Sequence, residues 1–358
     1  MPVHPSRSLP LKLIPCSIST LLVLAVAVLV PVRTSGQSVA DRTPNLSGGW
    51  VGTPGTVYFN FLHRFEHGPA PTRKISNFPT FLFGVTPVSG LLIGAQYATN
   101  SDLVASYPNE WELFGRWAAP AMGTAQLALT GGWNHAAESV DGEASIRLRM
   151  ARLSLLGVAR GFTQGFGGDG RLAFGGGAVL SLGNNLALVG DVTTLTDRTP
   201  DEEVAWGGAL QIRIPNTPHS LSLQATNTNT GTMQGSSRGG DKTRWGFEFT
   251  IPVTLSRYFG GGSGGGTAVV NNADTVVVTI RDFEFSPANV TIRQGATVVW
   301  VNEGQIAHTA TAAGAWDTGM IQPGARASHT FTSAGQLSYL CTPHPFMTGT
   351  VTVSGGGQ

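Results

Sequence analysis

The chain contains little charge and very little lysine. Only 12% of its 358 residues are charged, lysine is confined to positions 12, 74 and 242, and the formal net charge is +1. A chain of this composition has no basic surface for nucleic acid, so we expect no nucleic-acid partner. The 48 glycines and the scarcity of charge favour an all-β fold over a helical one. The length is sufficient for two domains.

The first forty residues have the pattern of an export signal. A basic start precedes an apolar run at 21–30, and a small-x-small cleavage pattern ends at Ala40. The alternative is a membrane anchor, but the run is shorter than the ~20 residues that a spanning helix needs. We therefore predict a signal peptide at 1–40 and an exported mature chain.

Cysteine is equally scarce. Cys16 lies within the predicted signal, so the exported chain would retain Cys341 alone and would form no disulfide within itself. A single thiol in an oxidising compartment is a liability unless a metal occupies it. The count therefore directs attention to other metal-binding side chains near Cys341.

A glycine-rich run at 260–266 divides the mature chain. Such a run behaves as a flexible tether, so we predict a linker at 260–274 between one domain at 41–259 and another at 275–354. In the first domain, apolar and polar residues alternate through about twelve short segments, which predicts an antiparallel β-barrel. Residues 228–242 are small and polar and predict a long loop.

Two kinds of structure share this alternation. A soluble barrel or sandwich buries the apolar face, whereas an outer-membrane barrel turns that face to lipid and keeps polar groups inside. The membrane version is favoured because about twelve strands enclose more space than side chains fill and several segments reach the ~10 residues of a tilted span. The last strand ends in Tyr258 and Phe259, which resembles the closing strand of bacterial outer-membrane barrels. Tryptophans available for interfacial girdles are Trp50, Trp111, Trp117, Trp133, Trp206 and Trp245.

The second domain carries four side chains with the spacing of a copper site. Short strands are predicted throughout 275–354, as in a small Greek-key sandwich. Cys341, His344 and Met347 share one tight loop in a C-x-x-H-x-x-M pattern, and His308 lies on an earlier connection. A thiolate and two imidazoles with a weak axial thioether form the blue-copper arrangement, which suits both Cu(I) and Cu(II). Zinc is disfavoured because methionine is a poor zinc ligand.

This stretch resembles the plastocyanin and amicyanin branch of the cupredoxins across essentially all of 275–354. The resemblance is carried by DFEFSPANVTIRQGATVVWVN, by His308 and by YLCTPHPFMTGTVTV. It implies an electron carrier in which electrons enter and leave at the edge of His344, where a redox partner would dock. It also implies one type 1 copper ion held by His308, Cys341, His344 and Met347.

The neighbours of these residues suggest how the copper ion would be tuned. Asn302 resembles the family's asparagine that steadies the cysteine loop. Pro343 and Pro345 flank His344, stiffen the loop and remove two backbone N–H groups, which would raise the reduction potential. Together with Phe346 they would form an apolar collar around the exposed edge of His344.

The sequence therefore predicts an electron carrier and not an enzyme. Multicopper oxidases need pairs of histidines separated by a single residue, and the sequence contains no such pair. The hypothesis is a periplasmic cupredoxin tethered to an outer-membrane barrel and in contact with its lipid. Two alternatives stay open: copper capture for storage or delivery on a porin-like barrel, and a metal-free cupredoxin that serves as an interaction module.

Overall fold

A computed structural model describes residues 42–71, 73–183, 185–215, 217–255, 269–271, 274–281, 283–304 and 306–355. The side chains of 269–271 and of Phe346 are not among the described ones. The predicted signal at 1–40 with Cys16, the glycine run 260–266, Tyr258 and Phe259 lie outside the described residues, so what was predicted for them stays a prediction. Among the described residues, no helix combines the length and apolar character that a membrane-spanning helix requires.

The first part of the described chain is a closed antiparallel barrel of twelve strands, as predicted. Each strand pairs with its sequence neighbours, and β1 closes the barrel against β12, with Thr56 opposite Thr254. The strands are β1 (Thr56–His67), β2 (Ile75–Val88), β3 (Leu91–Val104), β4 (Tyr107–Ala118), β5 (Ala125–Asn134), β6 (Ser139–Met150), β7 (Leu153–Phe162), β8 (Arg171–Ser181), β9 (Leu186–Leu195), β10 (Ala205–Arg213), β11 (Ser220–Thr226) and β12 (Arg244–Thr254).

The barrel is polar inside and apolar outside. On β1, Asn60 and Arg64 are buried, whereas Phe59, directly before Asn60, is exposed. On β6, Glu143 is buried and Ile146 is exposed. Because successive side chains of a strand point to opposite faces, the polar side chains of these strands line the lumen, together with apolar residues such as Leu82 and Val158. This is the orientation expected of the membrane version and the reverse of that expected of a soluble barrel.

The lumen is filled by two segments of the chain rather than by side chains alone. Segment 42–53, which precedes β1, and loop 227–240, which joins β11 to β12, are buried over most of their length. The residues predicted as a long polar loop are thus a loop, but one folded into the barrel. Trp50 is 1% exposed within the first segment, so the prediction that it belongs to an outer girdle is wrong.

The C-terminal part of the described chain forms two further sheets. A six-stranded sheet has the order β13-β16-β22-β21-β18-β19, and a four-stranded sheet has the order β15-β14-β17-β20. The strands are β13 (Val269–Asn271), β14 (Thr275–Arg281), β15 (Glu284–Ser286), β16 (Asn289–Arg293), β17 (Thr297–Asn302), β18 (Thr311–Ala312), β19 (Trp316–Asp317), β20 (Arg326–Thr330), β21 (Gly335–Cys341) and β22 (His344–Ser354). Strand β13 falls within the range predicted as linker and pairs in parallel with β16.

The core of these two sheets is apolar. Val278, Ile280 and Trp300 are fully buried in one cluster with Cys341 and Met347. On β14 the buried residues alternate with exposed ones, so the apolar face points inward and the polar face outward. The residues of the predicted copper site therefore lie at the edge of a conventional hydrophobic core.

Candidate metal centre

The hairpin of β21 and β22 carries three of the four predicted ligands. Cys341 ends β21 and pairs with His344, which begins β22, whereas Leu340 pairs with Thr348. Residues 345–347 are therefore a bulge in the second strand. The bulge places the Met347 side chain in the core, where it is 2% exposed.

A separate connection between β17 and β18 carries His308. Its backbone exchanges two hydrogen bonds with Ile321: the His308 N–H donates at 3.2 Å and the Ile321 N–H donates back at 2.7 Å. The buried Asn302 amide donates to the carbonyls of Ile306 at 2.7 Å and Ile321 at 2.8 Å. Asn302 therefore fixes the connection that bears His308. That Asn302 also steadies the cysteine loop stays a prediction.

The thiol and the two imidazoles meet at one point. The Cys341 Sγ lies 3.5 Å from His308 Nδ1 and 3.4 Å from His344 Nδ1. The donor atoms of all three residues lie within 4.8 Å of one another, and all three side chains are buried. A first-row ion with bonds of ~2.0 Å to nitrogen and ~2.3 Å to sulfur at a trigonal angle would separate these atoms by about 3.7 Å. The donors thus fit a single trigonal ion after movements of a few tenths of an ångström.

The thiol of Cys341 is prepared to act as a thiolate. Burial raises its pKa, but hydrogen-bonding contacts with His308, His344 and the Thr309 N–H, together with the charge of His308, bring the pKa down to about 6. The Thr309 N–H reaches the sulfur at 3.4 Å. Since a metal binds the thiolate form, this lowered pKa favours occupation of the site.

A threonine network joins the two connections that deliver the ligands. The Thr342 N–H donates to the Thr309 hydroxyl at 2.8 Å, and the Thr311 hydroxyl donates to the same oxygen at 2.9 Å. Thr309 and Thr342 each follow a predicted ligand in the chain. The network therefore fixes the spacing between His308 and Cys341.

A family profile described as copper-binding proteins of the plastocyanin/azurin family matches residues 273–354. Amicyanin from Paracoccus versutus is 38% identical over 87 residues, and amicyanin from Paracoccus denitrificans is 33% identical over 84 residues. These alignments cover 23% and 22% of this chain and 66% and 64% of the relatives, so the chain spans less than two thirds of either relative. A solved structure of a reduced amicyanin variant matches with 30% identity and a TM-score of 0.22, covering 23% of this chain and 83% of that one.

Residues 273–354 belong to the plastocyanin/azurin family. The predicted cupredoxin is thereby confirmed, and copper is the cofactor that this family binds. The donor set of the cupredoxin domain, one thiol with two imidazoles, is the set expected for type 1 copper.

The apolar collar predicted around His344 stays a prediction, because one of its three side chains is not described. Pro343 lies half-buried in the turn between the two strands, Pro345 is exposed, and the Phe346 side chain is not described. In addition, the Phe283 ring stands perpendicular to the His344 ring at a centroid distance of 4.9 Å.

Phe283 is a neighbour of the site that sequence reasoning missed. It lies between β14 and β15 with a φ of 71°, and its ring is also 6.2 Å from the His308 ring. The alternation of Phe283 and Phe285 in the sequence predicts a continuous strand. Only the positive φ, which a sequence does not reveal for a phenylalanine, turns the first ring towards the histidines.

Proposed function

We propose that this protein is a one-electron carrier whose cupredoxin domain works in the periplasm, tethered to a β-barrel in the outer membrane. The proposal is carried by the convergence of one buried thiol and two buried imidazoles within 4.8 Å on a domain of a copper-binding family. When bound, the copper ion supplies a Cu(II)/Cu(I) couple that accepts and releases one electron.

Four side chains would hold the copper ion. His308, Cys341 and His344 present their donor atoms to one point, and Met347, buried in the same core, would contribute a thioether. The thioether favours copper over zinc. Asn302 and the threonine network hold the two ligand-bearing connections in place, so the donors need move little between oxidation states.

The edge of His344 is the proposed place of electron entry and exit. The His344 side chain is 4% exposed, and it lies between the half-buried Pro343 and the exposed Pro345. The prolines offer no backbone N–H groups to solvent there. We propose that a redox partner protein docks on this apolar surface.

The outer surface of the barrel supports a place in the outer membrane. Outward-facing apolar side chains such as Phe83 and Leu129 are 60% and 56% exposed. An apolar surface that surrounds a barrel in this way is a lipid-facing surface or an aggregation hazard in water. Exposed tryptophans lie towards the end of the barrel opposite Thr56, as in an interfacial girdle: Trp111, Trp133, Trp206 and Trp245.

The lengths of the connections between strands support one orientation of the barrel in the membrane. At the end that holds Thr56 and Thr254 they are 89–90, 119–124, 151–152, 182–185 and 214–219. At the opposite end they are 68–74, 105–106, 135–138, 163–170, 196–204 and 227–243. Bacterial barrels have short periplasmic turns and longer extracellular loops. The chain would therefore leave the barrel on the periplasmic side, where the tethered cupredoxin domain meets its partners at high effective concentration.

The test is spectroscopy and redox titration of the full-length protein with Cu(II). We expect an intense visible band from a copper–thiolate bond and a reversible one-electron couple. The band should vanish in Cys341→Ser and persist in the neighbouring control Thr342→Ser. Copper binding without a reversible couple would replace this proposal with copper capture for storage or delivery, and failure to bind copper would leave an interaction module.

A further inference from the structure

Two segments of the chain meet inside the barrel. Segment 42–53 enters at the end that holds Thr56, and loop 227–240 enters from the opposite end, between β11 and β12. The Thr228 hydroxyl donates to Asn45 Oδ1 at 2.7 Å, so the two segments are in direct contact. The chain itself therefore occupies the lumen from both ends.

Two arginines of the barrel wall bind both segments at once. The Arg64 guanidinium on β1 donates to the Thr230 carbonyl at 2.8 Å and to Asn45 Oδ1 at 3.3 Å. The Arg160 guanidinium on β7 donates to the Asn45 carbonyl at 2.9 Å and to the Ser237 hydroxyl at 2.8 Å. Since both arginines are buried, each acts as a clamp that joins the segments to the wall.

The loop is held almost entirely by polar contacts. Glu112 accepts a hydrogen bond from the Met233 N–H at 2.9 Å, and Asp141 accepts one from the Gln234 amide at 2.9 Å. Glu110 accepts from two threonine hydroxyls of the loop. Met233 is the sole large apolar residue of 227–240. Water can replace each polar partner once the loop leaves the lumen, so the net stabilisation from each contact is only a fraction of its strength in a dry interior.

Segment 42–53 has polar contacts of its own, such as those of Asn45 with Asp191, and in addition it is held by apolar burial. Trp50 is 1% exposed and packs edge-on against Tyr58 at a centroid distance of 4.8 Å, in a cluster with Val51 and Phe114. Leu46 is buried in a second cluster of the wall. Water offers no substitute for these contacts, so this segment is the firmly anchored half of the closure.

A polar cavity lies between the two halves. Its volume is about 70 Å³, and both segments line it, together with wall residues of both charges such as Arg116 and Glu143. Asn60 Oδ1 and Thr80 Oγ1, on the same lining, are buried and have no hydrogen-bond partner among the described residues. A polar cavity of this size accommodates several water molecules, each with polar partners.

We propose that the barrel is a gated passage for small hydrophilic solutes, with loop 227–240 as the gate and segment 42–53 as the fixed lining. The proposal rests on the proposed place of the barrel in a membrane. Withdrawal of the loop exchanges its polar contacts for water and extends the cavity along the charged wall to the open end of the barrel. The charges of both signs suit small polar or ionic solutes in general.

The test is the ion current of the full-length protein in planar lipid bilayers bathed in KCl. Replacement of 229–237 by a short Gly–Ser turn should raise the mean current at least about tenfold, because a twelve-strand lumen is too wide for its side chains to fill. The matched control removes 198–201 from an exposed loop at the same end and should leave the current at the wild-type level. An inserted loop variant that conducts no more than the wild type overturns the gate.

A second measurement needs no variant. In hydrogen exchange of the wild-type protein in detergent, the amides of 228–237 should exchange faster than those of 44–51. Equal protection, or slower exchange in the loop, would overturn the assignment of the loop as the gate. Flotation of the protein with lipid vesicles separates the two proposals: a barrel that does not float refutes the membrane placement, while the exchange comparison still decides which half is the looser.

Discussion

The barrel and the cupredoxin domain are built from strands with the same alternation of apolar and polar residues, but they bury opposite faces. In the barrel, Arg64 and Glu110 are fully buried while Leu129 is 56% exposed. In the cupredoxin domain, Val278 and Trp300 are fully buried. Alternation alone therefore fixes that a strand has two faces and leaves open which face is turned inward.

The number of strands explains the difference. Two packed sheets leave a layer that apolar side chains fill completely, whereas a closed barrel of twelve strands leaves a wider space. In this barrel the space is occupied by backbone from 42–53 and 227–240, whose polar groups need hydrogen-bond partners. Polar residues of the lumen wall supply those partners, and many of the large apolar residues are left to face outward.

The largest loss of stability is expected from a substitution in the apolar core of the cupredoxin domain. Trp300→Ala should lower the free energy of unfolding of the cupredoxin domain by about 3–5 kcal/mol, because it leaves a large cavity in a closely packed interior. Denaturant titration of the full-length protein, followed by the copper band, measures this. The control Val277→Ala, at a position 50% exposed, should change it by less than about 0.5 kcal/mol. A loss of the same size in the control would contradict the assignment of these two faces.

A matched pair of arginine substitutions tests whether the outer surfaces of the barrel and of the cupredoxin domain face lipid or water. Leu129→Arg, in the middle of β5, should destabilise the barrel in lipid vesicles by about 2–4 kcal/mol, because it places a charge opposite the hydrocarbon. Val277→Arg, at a similar exposure on the cupredoxin domain, should cost less than about 0.5 kcal/mol. Urea titration in vesicles and in solution gives the two values. Equal small costs would mean that the barrel exterior faces water.

The sequence predicts much of this comparison, but not the burial of the polar loop or the position of Phe283. The barrel strands and the convergence of His308, Cys341 and His344 followed from alternation and ligand spacing. The burial of loop 227–240 did not, because a run of small polar residues has the same composition whether water or a polar lumen surrounds it. The contact of Phe283 with His344 depends on a positive φ that no local signal announces.

The polar interior of the barrel should tolerate change better than the apolar one. Glu143→Gln removes one charge beside Arg160, whose guanidinium keeps its contacts with Asn45 and Ser237. We expect a loss of about 1–3 kcal/mol, the cost of weakening a buried charge-assisted hydrogen bond whose remaining partners stay satisfied. Thermal unfolding of the detergent-solubilised barrel measures it. A loss above that of Trp300→Ala would show that the lumen is as tightly specified as the cupredoxin core.

The smallest effect is expected at the ligands themselves, which form a polar cluster in the cupredoxin core. In the metal-free protein, thiolate absorbance should titrate with a midpoint near pH 6, because contacts with the histidines and the Thr309 N–H outweigh the effect of burial. His344→Phe removes one of these contacts and should move the midpoint upward, whereas the matched change His329→Phe, away from the thiol, should not move it.

The same titration has a consequence for stability with a definite sign. A thiol whose pKa is lower in the folded state stabilises the fold above its ordinary pKa, and this stabilisation declines as the pH falls through the folded value. The metal-free cupredoxin domain should therefore gain stability between about pH 6 and the ordinary thiol pKa of ~8.5. In His344→Phe the gain should begin at a higher pH and be smaller. If the unfolding free energy of the wild type does not depend on pH in this range, Cys341 is not held as a thiolate. Burial in the apolar core would then keep the thiol neutral despite its contacts with the histidines.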